Sequence, residues 1–253
     1  MLKTIKSFIT AKFPISSRKI YHSLNKLIYK GENYYCPVCE KGYKRFLPAG
    51  DNITGNSKCP GCNSLERQRL LWLYLTRELR IQGQKIRLLN VAPDFAIQLK
   101  LQSLSNIDYV SIDLESPLAM HKADLTNLDF VENSFDAILC YHVLEHIEDD
   151  IKAISELYKI LKPGGWAILQ TPIEYGREKT FEDFSVTSGK ERRRIFGQED
   201  HVRIYGRDYF QRLENAGFLI TEDRFIDKFN TREKQKYVLD NNEIIFFCTK
   251  PKN

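Results

Sequence analysis

Residues 86–94 read IRLLNVAPD, a short apolar run that ends in a proline and an acid. A run of this length predicts a buried strand over Ile86–Val91, because a buried helix would need about ten residues or more. Comparable runs predict further strands at Tyr109–Leu114, Phe135–Tyr141, Trp166–Thr171 and Glu243–Thr249. Helical spacing of apolar residues predicts helices at Leu65–Leu79, Asp149–Leu161 (stopped by the KPGG segment, residues 162–165) and Tyr209–Ala216. Alternating strands and helices indicate a parallel sheet with crossover helices.

The composition indicates a globular chain. Of its 253 residues, 42% are hydrophobic and 12% are aromatic, which is enough for one substantial domain and a small accessory module. No stretch approaches the roughly 20 apolar residues of a membrane span, and the N-terminus lacks the apolar run and cleavage site of a signal peptide. We therefore expect a cytoplasmic protein.

The first 30 residues differ in charge from the rest of the chain. The chain has a formal net charge of +5, yet residues 1–30 contain no acid and seven basic residues, namely Lys3, Lys6, Lys12, Arg18, Lys19, Lys26 and Lys30. The remainder therefore has a net charge of −2. Apolar residues at helical spacing predict a basic amphipathic arm over residues 1–30. One hypothesis is peripheral contact with the inner face of an anionic membrane; the alternatives are an extension packed on the protein body and a disordered basic tail.

Four of the six cysteines form two CxxC pairs. Cys36 and Cys39 form the first pair, Cys59 and Cys62 form the second, and 19 residues separate Cys39 from Cys59. This spacing is typical of a tetrahedral zinc site, whose four protein ligands leave no position open for substrate. We predict a structural Zn²⁺ in a zinc-ribbon-like module over residues 31–64. The alternative is a loop of reduced cysteines, which leaves unexplained how a segment so poor in apolar residues folds.

The loop after the first strand argues against a dinucleotide site. Such a site needs a GxGxxG segment, so that the backbone can approach a pyrophosphate, and residues 92–94 contain no glycine. Asp113 closes the second strand about 20 residues later, where an acidic side chain can accept hydrogen bonds from ribose hydroxyls. Taken alone, a strand-end aspartate is more often the cap of a loop than a ligand.

A series of motifs follows through the alternating region: Asp113, Ala123-Asp124, Ser134-Phe135-Asp136, residues 142–146 and residues 161–165. Their order and spacing resemble the class I S-adenosylmethionine-dependent methyltransferases across roughly residues 85–175, although the first loop of that family contains glycine. More closely, the chain resembles a bacterial subgroup with an N-terminal CPxC module, the segment SLER (residues 64–67), a Val-Ala-Pro-acid loop and the run DHVRIYG (residues 200–206). This closer resemblance covers nearly everything after residue 34.

The resemblance implies an α/β fold with a Rossmann-like, seven-stranded, mostly parallel sheet and the small zinc module ahead of it. It implies a methyltransferase domain over residues 65–253 that uses S-adenosylmethionine as cofactor. The residues expected to bind this cofactor are Asn90, Ala92, Pro93, Asp113, Leu114, Asp124, Leu125, Tyr141 and His142. Because S-adenosylmethionine has no phosphates, a small residue such as Ala92 suffices for close backbone approach.

The run at residues 200–206 is expected in a loop at the crevice where acceptor meets cofactor. His201 is the predicted catalytic base, oriented by Asp200 or another carboxylate. Arg203 and Tyr205 are predicted to bind the acceptor. A solvated charged loop is the alternative interpretation.

The acceptor implied by the resemblance is a hydroxyl or phosphate-bearing sugar in surface-glycan biosynthesis, or another small molecule. RNA is the first alternative, because certain ribosomal-RNA guanine methyltransferases also pair a zinc module with this fold; the negative charge after residue 30 argues against it. The second alternative is a non-catalytic binding protein that has kept the fold.

Residues 142–146, HVLEH, also fit the HxxEH signature of inverted zinc peptidases. That signature needs its histidines inside a helix. Here they directly follow a predicted strand, so we expect His142 in a strand-to-helix loop, with Glu145 and His146 at the start of a helix.

Overall fold

The structure is a computed structural model that describes residue 25, residues 27–49 and residues 54–252. The described residues fall into two compact units. One holds the chain up to Leu79 together with Ile226–Glu243, and the other holds Arg80–Phe225 together with the chain from Ile244. Most of the predicted arm lies outside the described residues, so its amphipathic character and its membrane contact stay predictions. In the part of the chain that is described, no helix is long and apolar enough to cross a membrane.

Within the described residues, the strands in chain order are β1 (Lys30–Cys36), β2 (Lys41–Tyr43), β3 (Leu47–Ala49), β4 (Thr54–Lys58), β5 (Ile86–Val91), β6 (Ile107–Asp113), β7 (His121–Lys122), β8 (Phe135–Tyr141), β9 (Leu161–Gln170), β10 (Phe181–Glu182), β11 (Arg203–Ile204), β12 (Leu219–Asp223) and β13 (Ile245–Thr249). The α-helices are α1 (Glu66–Leu73), α2 (Phe95–Gln102), α3 (Asp150–Ile160), α4 (Gly189–Phe196), α5 (Tyr209–Asn215) and α6 (Thr231–Tyr237). A π-helical turn, Tyr74–Glu78, continues α1, and short 3-10 turns lie at Ile81–Gly83, Leu144–His146 and Phe225–Lys228.

The second unit is built on one seven-stranded sheet. Its strand order is β12-β13-β9-β8-β5-β6-β7, with parallel pairing from β9 to β7. The exception is β13, which is antiparallel to both β9 and β12. The predicted seven-stranded, mostly parallel α/β sheet is therefore confirmed. The chain order runs outward from β5 in both directions, which makes the gap between β5 and β8 the topological switch point of the sheet.

The core of this unit explains why its strands read as continuous apolar runs. Parallel strands are covered by helices on both faces, so nearly every side chain is buried. Five residues of β8 are at most 1% exposed: Phe135, Ala137, Ile138, Leu139 and Cys140. The helix α3 contributes a stripe of buried residues at helical spacing, Ala153, Ile154, Leu157 and Ile160.

The predicted bounds match those of β5 and β8, and those of α3 and α5 agree to within one residue at each end. Other predicted bounds differ from the structure. The strand β9 begins at Leu161 and not at Trp166, because residues 162–165 continue the strand as a bulge: Leu161 pairs with Phe135, and Trp166 pairs with Ala137. Gly164 has a φ of +76° there, a conformation that few other residues adopt without strain. The helix predicted over residues 65–79 changes to π-helical hydrogen bonding at Tyr74.

The first unit is held together by a buried arginine on α1. The Arg69 side chain donates to the backbone carbonyls of Ser57 at 2.9 Å and Ser64 at 2.6 Å. It also donates to the carbonyls of Tyr237 at 2.7 Å and Val238 at 2.6 Å. This explains why α1 and residues 226–243 group with the cysteine pairs and not with the sheet, unlike the predicted boundary at residue 65. The predicted functional division into arm, zinc module and methyltransferase domain stays a prediction.

Candidate functional site

The four paired cysteines come together in the first unit. Their sulfur atoms all lie within 4.8 Å of one another. The Cys36 and Cys62 sulfurs are 3.6 Å apart, and the Cys39 and Cys59 sulfurs are 3.7 Å apart. A tetrahedral Zn²⁺ with Zn–S bonds of about 2.3 Å places its sulfurs about 3.8 Å apart, so the cluster is compatible with a zinc module.

The backbone of each CPxC segment makes the same tight turn. The residue after each pair is left-handed, with a φ of 56° at Glu40 and 62° at Asn63. The amide of Glu40 donates to the Cys36 carbonyl at 2.8 Å, and that of Asn63 to the Cys59 carbonyl at 2.9 Å. The Gly61 amide points at the Cys59 sulfur at 3.4 Å, which favours a thiolate there. These turns bring the two sulfurs of each pair to one side of the backbone.

In the second unit, the register of the sheet brings three predicted cofactor residues to one edge. Val91 pairs with Ile112 of β6 and with Cys140 of β8. The residues that follow these three are Ala92, Asp113 and Tyr141, so they end three neighbouring parallel strands at the same level. This edge is the carboxyl edge beside the switch point, where open α/β sheets bind their ligands.

The loop after β5 contains no glycine, and its backbone is strained at Ala92. Ala92 has a φ of 47° and donates its amide to the Ile112 carbonyl at 2.8 Å. A left-handed alanine costs about 1–2 kcal/mol, and such strain is concentrated at ligand-binding sites. Asp94, the acid of this loop, caps α2 by accepting from the amides of Ala96 and Ile97.

The two aspartates after β6 and β7 each cap a turn with one oxygen. Asp113 Oδ1 accepts from the amides of Glu115 at 2.7 Å and Ser116 at 2.6 Å, which leaves Oδ2 for a ligand hydroxyl. Asp124 Oδ1 accepts from the amide and the hydroxyl of Thr126, both at 2.8 Å. These two bonds hold the pKa of Asp124 below its usual range, so its carboxylate stays ionised.

The remaining residues predicted to bind the cofactor differ in their exposure to solvent. Asn90 is buried and donates its side-chain amide to the Tyr109 hydroxyl at 3.0 Å. Leu125 is 5% exposed and belongs to the core, and its predicted cofactor contact stays a prediction. Pro93 is buried, whereas Leu114 is 55% exposed directly after Asp113.

His142 follows β8 at the other side of the switch point. It is also left-handed, with a φ of 58°, and its amide donates to the Gln170 carbonyl at 2.8 Å. Its ring packs edge-on against Tyr141 with centroids 5.0 Å apart, and its Nδ1 lies 3.2 Å from Glu145 Oε1. The Nε2 atom is buried and has no hydrogen-bond partner among the described residues.

Residues 142–146 do not fit the peptidase signature. His142 lies outside any helix, and Glu145 and His146 form a 3-10 turn and not the start of an α-helix. Glu145 is 2% exposed, and its Oε2 accepts from the Thr171 hydroxyl at 3.0 Å. Burial raises the pKa of this carboxyl, but the hydrogen bond and charge of His142 outweigh burial, and the pKa lies below its usual range.

His201 lies against this turn and is 7% exposed. Its ring packs edge-on against His146, with centroids 4.8 Å apart. Burial, and after it the neighbouring His146, lower the pKa of His201, so its imidazole is neutral near pH 7. Asp200 pairs with His146 and not with His201: His146 Nδ1 lies 3.2 Å from the Asp200 carbonyl and 3.4 Å from its carboxylate.

Arg203 and Tyr205, predicted to bind the acceptor, are buried. The Arg203 side chain is 0% exposed and donates to the carbonyls of Leu144, Ile147 and Glu148 and to the carboxylate of Glu182. Tyr205 is 1% exposed. Because neither side chain reaches solvent, we revise this prediction and assign both a structural role.

The sequence did not reveal the carboxylates that hold this arginine. Asp150 Oδ2 accepts from the Tyr205 hydroxyl at 2.6 Å and from Arg212 at 2.9 Å. Glu182 bridges Arg203 at 2.8 Å and Arg212 at 3.2 Å. The pKa of Glu182 is therefore lowered, although burial opposes the shift. These groups come from α3, β10, β11 and α5, which are far apart in the sequence.

The Arg203 network predicts a large loss of stability when it is broken. In Arg203→Leu, Glu182 loses a charged partner, and the carbonyls of Leu144, Ile147 and Glu148 lose their donor. We expect the free energy of unfolding to fall by about 3–5 kcal/mol in denaturant titrations of the full chain. Arg207→Leu is the control, because Arg207 is 56% exposed in a surface ion pair and such pairs contribute about 0–1 kcal/mol. Equal stability of the two variants would contradict the structural role of Arg203.

Comparison with known proteins finds similarity to methyltransferases. Residues 76–169 match the sequence family described as "Methyltransferase domain". A demethylmenaquinone methyltransferase from Bacteroides fragilis is 33% identical over 75 residues, which are 28% of this chain and 31% of that protein. Phosphoethanolamine N-methyltransferase 3 from Arabidopsis thaliana is 31% identical over 131 residues, which are 51% of this chain and 25% of that protein. The chain spans less than a third of the length of these curated relatives.

Among solved structures, the cyclase SpnF is similar, with a TM-score of 0.50 and 16% identity over 75% of this chain and 84% of that one. This likeness shows the fold alone, and a cyclase on this fold illustrates that fold does not decide the reaction. The family match and the methyltransferase relatives together support a methyltransferase domain in this chain.

Proposed function

We propose that the chain binds S-adenosylmethionine at the carboxyl edge of β5, β6 and β8 and transfers its methyl group to an acceptor. The observation that carries the proposal is the register that aligns Ala92, Asp113 and Tyr141 at the switch point. The proposal is further supported by the methyltransferase-domain match, which includes all three of these residues.

Within this proposal, each aligned residue has a defined task. Asp113 Oδ2 accepts hydrogen bonds from the ribose hydroxyls, since Oδ1 is used by its own turn. Asp124 and the backbone at Leu125 lie where the adenine would bind. At the strained turn, the Ala92 backbone comes close to the methionine portion of the cofactor, because the side chain of Ala92 is only a methyl group.

Methyl transfer from a sulfonium is an in-line displacement. The protein must align the nucleophile with the sulfur–methyl axis and accept or release one proton. His201 is the proposed proton acceptor, and its lowered pKa supports this role because a neutral imidazole can take up a proton.

For the first unit we propose a structural Zn²⁺ bound by Cys36, Cys39, Cys59 and Cys62. The sulfur spacing and the paired turns support it. With four protein ligands the ion has no open position, so it stabilises the fold of the unit and takes no part in methyl transfer.

For the acceptor we propose a hydroxyl or phosphate-bearing sugar of a surface glycan, on the resemblance of residues 200–206 to the bacterial subgroup. The test is transfer of labelled methyl from S-adenosylmethionine to fractionated cell extract. Label in glycan or glycolipid supports the proposal, label in RNA supports the RNA alternative, and cofactor binding without any transfer supports a non-catalytic protein.

Cofactor binding should depend on Asp113. The Asp113→Asn variant keeps an oxygen for the amides of Glu115 and Ser116 but replaces Oδ2 with an amide that cannot accept from ribose. We expect calorimetry to give a dissociation constant at least about tenfold higher for S-adenosylmethionine, as for the loss of hydrogen bonds to a charged group. The control, Asp129→Asn at an exposed aspartate, should bind normally. An unchanged constant in Asp113→Asn would refute the proposed binding mode, and NAD should not bind to either protein.

Metal analysis of the reduced protein should detect zinc at the cysteine site. The Cys59→Ser variant should contain about one zinc ion per chain less than the wild type, because a tetrahedral site loses a ligand. Its thermal stability should fall as well. Cys248→Ala, which alters a buried cysteine outside the cluster, should keep its zinc. A folded wild-type protein that purifies without metal would contradict the zinc proposal.

A further inference from the structure

We infer that Glu145, His146 and His201 bind one divalent transition-metal ion beside the proposed cofactor site. One ligand atom from each residue lies within 4.8 Å of the others. All three belong to the second unit, so this site is separate from the four cysteines. Two imidazoles and one carboxylate are ligands that suit Zn²⁺, Fe²⁺ and Co²⁺.

The first ligand, Glu145, is a buried carboxylate without a strong cationic partner. Its side chain is 3% exposed, and within the described residues its ion-pair partner is His142, with no lysine or arginine at ion-pair distance. Burying an ionised carboxylate is costly unless the charge is paired or binds a metal. The Thr171 hydroxyl holds Oε2 at 3.0 Å, and His142 holds Oε1 at 3.2 Å, so the carboxylate is fixed in orientation.

The second ligand, His146, is oriented by two acceptors of Asp200. Its Nδ1 lies 3.2 Å from the Asp200 carbonyl and 3.4 Å from the Asp200 carboxylate. Both groups accept hydrogen bonds, so the ring proton is on Nδ1 and the lone pair is on Nε2. Metal-binding histidines usually donate their other ring N–H to a carboxylate or a backbone carbonyl, as here.

The third ligand, His201, is held in place by packing. It is 7% exposed. The ring is packed against His146 at 4.8 Å between centroids, so it has little freedom to turn away. His146 is thus held by hydrogen bonds at Nδ1, and His201 is held by packing.

The ligand set leaves a coordination position open. Three protein ligands are typical of catalytic sites, in which water or substrate occupies the remaining position, unlike the closed set of four cysteines. The His146 side chain is 31% exposed, which gives an ion and an acceptor access from solvent. The turn with Glu145 and His146 begins three residues after the end of β8, the strand beside the proposed cofactor site.

The role of the ion rests on the proposed methyl transfer. An acceptor hydroxyl bound at the open position becomes more acidic, because the ion withdraws electron density from its oxygen. The proton leaves to water, and an oxygen lone pair attacks the methyl carbon. The electrons of the carbon–sulfur bond return to sulfur, which gives the methyl ether and S-adenosylhomocysteine. In this scheme His201 holds the ion and the proton goes to water, so the scheme replaces the proton-acceptor role that the proposed function gives to His201.

Co²⁺ titration of the full chain, with zinc already at the cysteines, tests the site. Zinc stays at the cysteines because thiolates bind Zn²⁺ more tightly than Co²⁺. We expect one Co²⁺ per chain, with a visible spectrum that lacks the sulfur-to-cobalt charge-transfer band of a thiolate site. Glu145→Gln and His201→Ala should weaken Co²⁺ binding at least about tenfold, as for the loss of a ligand.

Two further variants control for misfolding of the ligand variants and for adventitious binding of Co²⁺ to surface histidines. His146→Ala changes a partly exposed ligand, and it should also weaken Co²⁺ binding at least about tenfold while the chain stays folded. His121→Ala changes an exposed histidine on β7 and should bind Co²⁺ normally. No Co²⁺ uptake outside the cysteine site, or equal uptake by all variants, would overturn the inference.

Calorimetry with S-adenosylmethionine on the same samples separates this inference from the proposed function. The ligand variants should bind the cofactor normally but lose methyl transfer. If the wild type binds Co²⁺ but no S-adenosylmethionine, the metal site stands and the proposed function fails. If His201→Ala keeps full Co²⁺ affinity and loses only turnover, His201 is a base and the metal site is overturned.

Discussion

The buried guanidinium of Arg203 is the interaction on which the geometry of the candidate site depends. It donates to the carbonyls of Leu144, Ile147 and Glu148, which flank Glu145 and His146 on both sides. A buried arginine is tolerated only when its N–H donors have acceptors. The backbone of the turn that contains Glu145 and His146 is therefore held where its carbonyls can accept from Arg203. Since Arg203 follows His201 by two residues, the same contacts bring His201 against the turn.

A second constraint is the strain at the ends of β5 and β8. Ala92 and His142 are both left-handed, with φ values of 47° and 58°, although neither is glycine. Each such residue costs about 1–2 kcal/mol, which the paired strands must offset. The two turns lie on either side of the switch point, so both strained residues lie where a ligand would bind.

Local sequence patterns predicted much of the fold, whereas contacts between residues far apart in the sequence could not be predicted from them. The apolar runs of β5 and β8 had the right bounds because a buried strand differs from its flanks within a few residues. Asp113 and the cysteine spacing were recognisable for the same local reason. Arg203 was predicted to bind the acceptor, and its ion pairs with Asp150 and Glu182 were not foreseen because these residues are more than 20 positions away in the sequence. Likewise, no local pattern ties residues 226–243 to the cysteine pairs, since the contact is made by Arg69.

The decisive measurement is the crystal structure of the full chain with S-adenosylhomocysteine and Co²⁺, using anomalous scattering to locate the metal. We expect the nucleoside against Asp113 and the turn at Ala92, and an anomalous peak between Glu145, His146 and His201. Density for the cofactor product at any other edge of the sheet would contradict the proposed function. A cofactor product in place with no anomalous peak at these three residues would contradict the metal site.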